Sequence, residues 1–225
     1  MAKLLDENIQ KQVKEVFADL REPVSVLFFG SKSQNCDYCG QTEEMLQEIT
    51  ALSEKLHLEI YELEENADLA EIYHIDKVPG FAIAGHKDGQ LVDYGIRYAG
   101  IPAGHEFSSL VHDLVLVSKQ DSGLSPATRD FLHGLDQPVN LQVFVTPTCP
   151  YCPRAVVLAH QFALESEMVQ AEMVEATEFP ELAEHYGVSG VPHTSINFGA
   201  NELIGAAPEA MMVEQIKEAL VKQVQ

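Results

Sequence analysis

NCDYC at residues 35–39 and TCPYC at residues 148–152 hold all four cysteines of this 225-residue chain. The spacing between these two stretches organises the rest of the sequence. Cys36 to Cys149 is a step of 113 residues, and the same step carries Cys39 to Cys152, Leu69-Ala70-Glu71 to Leu182-Ala183-Glu184, and Tyr73 to Tyr186. It also carries Val78-Pro79 to Val191-Pro192 and Ile83 to Ile196. Upstream the step becomes 116, aligning Leu27-Phe28-Phe29 with Val143-Phe144-Val145, because the loop SKSQN before Cys36 is three residues longer than its counterpart. One step that maps thiols, a proline and apolar residues alike marks a duplicated unit of about 100 residues. The polar segment DSGLSP (121–126) carries Gly and Pro and sets the expected boundary, with one unit over 1–120 and the other over 121–225.

Each unit reads the same way. PVSVLFF (23–29) and VNLQVFV (139–145) are short, β-branched and aromatic, hence strands. Each runs into a cysteine loop and then a helix. Met45, Leu46, Ile49, Leu52 and Leu56 make one apolar helical face. AVVLAHQFAL (155–164) is apolar nearly all round, which predicts burial on more than one side, where the units meet. Strands follow over 58–64 and 167–175, and short helices over 67–73 and 179–186. Next come hairpins, the first marked by Asp88-Gly89, and closing helices over 103–118 and 208–223. A leading helix stands before each series. This order predicts two tandem α/β sandwich units, each with a central mixed sheet flanked by helices, the first two strands parallel and the last two an antiparallel hairpin.

Net charge is −21, divided as −11 and −10 between the halves. Such a surface repels phosphate backbones and anionic lipid, so neither nucleic acid nor membrane is an expected partner. No apolar run approaches the ~20 residues of a membrane helix. MAKLLDENIQKQVKEVF mixes charge with apolar residues instead of forming the apolar core of a signal peptide, so the expected location is the cytoplasm.

Two residues between cysteines at a helix start let the sulfurs reach bonding distance. Unpaired backbone N–H groups and the positive end of the helix dipole favour a thiolate there. Cys36 and Cys149 are therefore the expected nucleophiles, and Cys39 and Cys152 the resolving thiols. Pro150 suits a first helical position and Pro153 the first turn. A four-thiolate zinc or iron–sulfur site is the competing reading, but here each pair belongs to its own repeat and precedes an amphipathic segment. No cofactor or metal is expected. Tyr38 and Tyr151 are candidates for substrate contact or for local packing. His193 reads as a solvated loop residue that, when protonated, would help the Cys149 thiolate. Glu62 and Glu175, also 113 apart, read as strand-end charges or as proton acceptors for the resolving thiols.

These motifs resemble the glutaredoxin-like protein disulfide oxidoreductases of thermophilic archaea and bacteria, over nearly the whole chain. TPTCPYCPRAV (146–156) is similar to that family's second site, and GIRYAGIPAGHEFSSLV (95–111) to the segment closing its first unit. The resemblance implies two thioredoxin-like folds, with Pro79 and Pro192 cis and facing the disulfides. Val78, Pro79, Val191 and Pro192 would then present backbone to an extended substrate chain. It further implies dithiol reductase, oxidase and isomerase activities on protein substrates, with a thioredoxin-reductase-type flavoenzyme as electron donor. A narrower alternative is an electron carrier from such a reductase to one partner, such as a peroxiredoxin. The sequence departs from the thioredoxin pattern where a buried Asp stands six residues before the nucleophile: Gly30 and Val143 occupy those places. Its ten lysines are few for a hyperthermophile protein, which points to a moderately thermophilic source.

The two centres are expected to be unequal. Asp37 places negative charge beside Cys36, whereas Cys149 is followed by Pro150. Alkylation rates followed across pH are expected to show the lower thiol pKa at Cys149; a lower value at Cys36 contradicts this reading.

Overall fold

The computed structural model describes residues 4–33 and 35–223. The first half runs α1 (Glu7–Phe17), β1 (Val24–Gly30), α2 (Cys39–Thr50), β2 (Leu56–Glu62), α3 (Ala67–Ile72), β3 (Gly80–Lys87), β4 (Gln90–Ala99), a 3-10 turn (Gly104–Glu106) and α4 (Phe107–Lys119). The second half runs α5 (Pro126–His133), β5 (Val139–Val145), α6 (Cys152–Glu165), β6 (Val169–Glu175), α7 (Pro180–His185), β7 (His193–Ile196), β8 (Asn201–Ile204) and α8 (Glu209–Gln223).

Local chemistry fixes several ends. Asp6 caps α1 by accepting the Ile9 N–H at 2.8 Å. Ser125 caps α5, and Pro126 occupies its first position, where no N–H is missed. The apolar face read as one helix to Leu56 is shared between two elements. The helix ends at Thr50, and Leu56 opens β2 as a buried strand residue paired with Val24.

In each half the first two strands are parallel and the last two antiparallel. The halves do not stand apart. The strand order is β2-β1-β3-β4-β6-β5-β7-β8, one eight-stranded sheet closed at its middle by a parallel pair, Ile96↔Ala171 to Ala99↔Val174. The first part of β4 is largely exposed; its last four residues, which pair with β6, are buried.

Strict alternation sorts the strand residues. Val26, Phe28, Ile83, Ile96, Tyr98, Leu141, Val143, Ala171 and Met173 enter one large core with residues of α1, α2, α4, α5, α6 and α8. The opposite face carries two smaller clusters, one under α3 and one under α7. α6 packs on β5 and β6 of its own half and on α4 and β4 of the other, which accounts for its near-continuous apolar surface. One polar residue of α6, His160, is fully buried: its Nδ1 lies 2.5 Å from Asp113 Oδ2 on α4, and the same oxygen accepts the Tyr98 hydroxyl at 2.5 Å. Burial opposes the Asp113 charge, but His160, His112 and Tyr98 hold its carboxyl below the usual range.

The 3-10 turn meets the loop before Cys149 at close quarters. His105 N–H donates to Pro147 O at 2.9 Å. Gly104 has φ +61°, and a Cβ there would fall 2.2 Å from Pro147 O. Gly187 has a similar φ, +63°, with open space around it. Gly187→Ala is expected to cost about 1 kcal/mol from backbone strain alone. Gly104→Ala is expected to cost on the order of 3 kcal/mol, because backbone must also shift. Denaturant unfolding of both variants checks the difference.

Candidate active sites

Both cysteine pairs lie at the carboxyl end of a central strand. β1 ends at Gly30 and β5 at Val145; each chain then loops into its cysteines and enters α2 or α6. Cys36–Cys39 and Cys149–Cys152 each close a disulfide, with S–S of 2.03 and 2.18 Å and Cα–Cα of 5.5 Å in both. The four sulfurs are thus divided between two separate bonds. Among the described residues no cluster of three or more His, Cys, Asp or Glu is arranged to hold a metal.

The second cysteine of each pair, not the first, is the opening helical residue. Pro150 consequently lies in the turn before α6, and Pro153 takes the early helical position. The helix end still reaches the outer sulfur: the Cys152 N–H donates to Cys149 Sγ at 3.1 Å. An N–H aimed at that atom favours its anionic form. Burial differs between the centres. Cys149 and Cys152 are 7% and 0% exposed, whereas Cys36 and Cys39 are partly exposed. Tyr38 and Tyr151 stand at the surface, 42% and 65% exposed.

Val78–Pro79 and Val191–Pro192 are both cis. Strand register places them. Phe29 pairs with Gly80 and Phe144 with His193, so Pro79 falls opposite Gly30 and Pro192 opposite Val145, at the sheet end from which the cysteine loops leave. A Cβ on Gly30 would lie 3.7 Å from Cys39 Sγ, which puts that sulfur beside the same strand end. Pro79 O accepts the Gly100 N–H and Pro192 O the Gly205 N–H, each at 2.8 Å, so the repeat holds down to single hydrogen bonds.

The carboxylates divide. Glu62 pairs with Lys32 at 2.8 Å near the surface. Glu175 is 2% exposed; its Oε2 accepts from Thr177 Oγ1 at 2.6 Å and Glu178 N–H at 2.7 Å, and its other oxygen has no hydrogen-bond partner among the described residues. Glu178 Oε1 accepts the Ile101 N–H at 2.7 Å, and burial, with Glu175 beside it, pushes its pKa up to about 7. His193 is not a solvated loop residue: it opens β7 at 2% exposure, with Nε2 3.4 Å from Glu202. A strand begins immediately after Pro192, and its first side chain turns inward.

Sequence reasoning passed over Glu106. It lies on the 3-10 turn against the loop leading to Cys149, 1% exposed, with Oε2 accepting from Ser109 at 2.5 Å and Oε1 without a partner among the described residues. Burial raises its pKa to about 7; the Ser109 hydroxyl opposes that shift and Asp113 adds to it. Its only sequence signal was its place within 95–111, the stretch that carried the family resemblance. No helix is long and apolar enough to cross a membrane among the described residues.

Two closed Cys-x-x-Cys disulfides on a tandem thioredoxin fold define the class of thiol–disulfide oxidoreductases. A thioredoxin-domain family model matches residues 139–219. A protein disulfide oxidoreductase from Aeropyrum pernix is 32% identical, with a TM-score of 0.86 over 96% of this chain and 94% of that one. On that likeness the chain belongs to the protein disulfide oxidoreductase family, and its chemistry is thiol–disulfide exchange. The NTD_N/C domain of the alkylhydroperoxide reductase AhpF of Enterococcus faecalis is 27% identical, with a TM-score of 0.85 over 94% of this chain and 99% of that one. The alkyl hydroperoxide reductase F protein of Pseudomonas aeruginosa is 24% identical over 194 residues, 86% of this chain but 34% of that protein. The chain therefore spans about a third of the length of such curated relatives.

The raised carboxyl of Glu106 makes a linkage prediction. Its folded pKa, about 7, lies above the ordinary value of 4.5. Its contribution to stability is fully present below about pH 4.5 and is lost as pH rises through 7. Against Glu106→Gln, the native chain is expected to lose on the order of 2–3 kcal/mol between pH 4.5 and 8. Paired unfolding curves across that range measure it, and parallel curves would refute it.

Proposed function

We propose that both pairs are working redox centres acting on protein disulfides and dithiols, one in each of the units 1–120 and 121–225. Cys36 or Cys149, as thiolate, attacks a substrate disulfide. One substrate sulfur leaves as thiolate and a mixed disulfide forms. Cys39 or Cys152, losing its proton, then attacks the enzyme sulfur of that bond; the second substrate thiol departs and the enzyme disulfide closes. Two electrons pass to the substrate, and the reverse sequence oxidises a dithiol. Val78-Pro79 and Val191-Pro192 stand at the same strand ends as the sulfurs, where their backbone is placed to pair with an extended substrate. The carrying observation is that both halves set a closed Cys-x-x-Cys disulfide at the end of β1 or β5, opposite a cis proline whose carbonyl is held by the same hydrogen bond.

At the second centre Glu106 is the group we assign to hold the proton of Cys152. It is a buried carboxyl on the turn whose His105 N–H bonds Pro147 O before Cys149, with a pKa raised to about 7, near neutrality as a proton acceptor at physiological pH requires. The AhpF relatives favour a second reading, that of an electron carrier between a thioredoxin-reductase-like flavoenzyme and a peroxiredoxin-type partner. The cytosol, where disulfides in proteins are chiefly catalytic, is the proposed setting.

Insulin-disulfide reduction is the test. Cys149→Ser is expected to lower the rate at least tenfold, and Cys36→Ser to lower it less, with the double variant inactive. Full activity in the double variant would remove the proposal. In a reductase-coupled assay over several disulfide substrates, turnover of many supports the general enzyme, and turnover of one peroxiredoxin alone supports the carrier.

A further inference from the structure

The face of the sheet beneath α3 and α7 is only partly covered, because each of these helices has six residues. Between them the strands present a continuous polar row. Register pairs Arg97 with Glu172, Glu172 with Gln142, Gln142 with Ser195, and Ser195 with Glu202, one residue from each of β4, β6, β5, β7 and β8. Neighbouring residues on this face are apolar: Ala99, Val174 and Phe144 lie two positions nearer the redox end and enter the cluster under α7. A polar row laid across the centre of a sheet is costly unless its groups are satisfied.

Part of the row is satisfied. Arg97 is 1% exposed and bonds Asp93 Oδ1 at 2.8 Å and the Tyr73 carbonyl. Glu172 holds Lys77 at 3.1 Å and the Gln142 amide at 2.9 Å. Two atoms are not satisfied. Gln142 Oε1 and Ser195 Oγ, on side chains 7% and 1% exposed, are buried without a hydrogen-bond partner among the described residues. Both residues line open space. Gln142 borders cavities of about 710 and 340 Å3, and Ser195 one of about 450 Å3. Phe198 borders all three, joining them into one trough.

Phe198 is 68% exposed and sits at φ +58° beside Asn197 at +48°. A bulky residue rarely adopts that backbone, and an apolar ring gains nothing from water. Tyr186 adds a second ring to the wall. Once Lys77 is set against both of its partners, Glu172 and Asp76, the walls carry Glu71, Glu178, Glu181 and Glu202 against Lys222 as the one other lysine or arginine among the described residues there.

We infer that this trough binds a basic segment of a protein partner, taking an arginine or lysine side chain over the Phe198 ring with its N–H groups directed to Gln142 Oε1 and Ser195 Oγ. The stem of such a side chain suits an aromatic wall, its charge suits the acidic rim, and cation–π attraction adds to both. It is a donor without acceptors, matching an amide oxygen that has no donor. Gln142 lies three residues, about 10 Å, from the end of β5 where the second redox centre begins. A partner held here would be tethered beside the chemistry without entering it.

The test titrates the oxidised full chain with a Gly-Arg-Gly-Arg-Gly peptide and with its Glu counterpart, by calorimetry. The arginine peptide is expected to bind and the glutamate peptide not to. Phe198→Ala and Ser195→Ala are each expected to weaken binding about tenfold, while insulin reduction stays at the native rate. Phe198 is at the surface, so its replacement leaves the core intact. Absence of heat with the arginine peptide, equal binding of the acidic peptide, or native affinity in both variants would each overturn the inference. Insulin reduction is read separately, so failure of the trough is distinguishable from failure of the redox reading.

Discussion

Four register pairs between β4 and β6 hold the architecture together. Each half alone would be a four-stranded sheet with an open edge and one face of its central helix exposed. Parallel pairing across the seam supplies backbone partners to both edges at once. It also brings α4 against α6, so the Tyr98–Asp113–His160 cluster is shared between halves and buried by both. The seam works in both directions at the redox sites. The first half sets its 3-10 turn, through the His105 N–H, on Pro147 O in the loop before Cys149. The second half delivers Glu178 to Ile101, next to the Gly100 that holds the Pro79 carbonyl. Contacts thus cross the seam next to both cysteine loops, an arrangement two independently hinged units could not keep.

Much of this was legible in the sequence, for physical reasons. The 113-residue step exposed the duplication because cysteine and proline have few substitutes where a disulfide must close or a peptide must be cis. Strand type followed from β-branched and aromatic runs such as PVSVLFF, whose composition suits a doubly covered strand. The all-round apolarity of 155–164 announced a helix buried on several sides. What stayed hidden depended on contacts between segments distant in the chain. Leu56 fits a helical face in one dimension; only the turn at Ala51–Lys55 moves it to a strand. His193 follows a loop-like proline, and nothing local says that β7 turns it inward. Glu106 is one acid among 35, distinguished only by what folds over it. The edge-to-edge joining of the sheets left no sequence trace, because β4 carries the same alternation in either case.

The duplication has not kept the centres equivalent. Spacing, the cis proline and the bond from its carbonyl to the glycine just past the hairpin's second strand are preserved, and these govern geometry. The variable features govern electrostatics: Asp37 against Pro150, a partly exposed pair against a buried one, and Glu62 neutralised by Lys32 against Glu175 shielded by Thr177. Geometry is what the exchange reaction demands of any Cys-x-x-Cys, whereas local charge sets how readily each pair gives up electrons. Two frames of one shape can thus be tuned to different tasks.

Fusing the sheets also affects how safely the chain behaves at high concentration. Two separate four-stranded sheets would have four unpaired margins, each a template on which a neighbouring molecule could add a strand. The joined sheet has two, β2 and β8. One of these is only four residues long, and the other carries Glu59 and Glu62 along its length. By consuming its own most dangerous borders, the tandem arrangement guards against self-association as an incidental result of building its redox machinery.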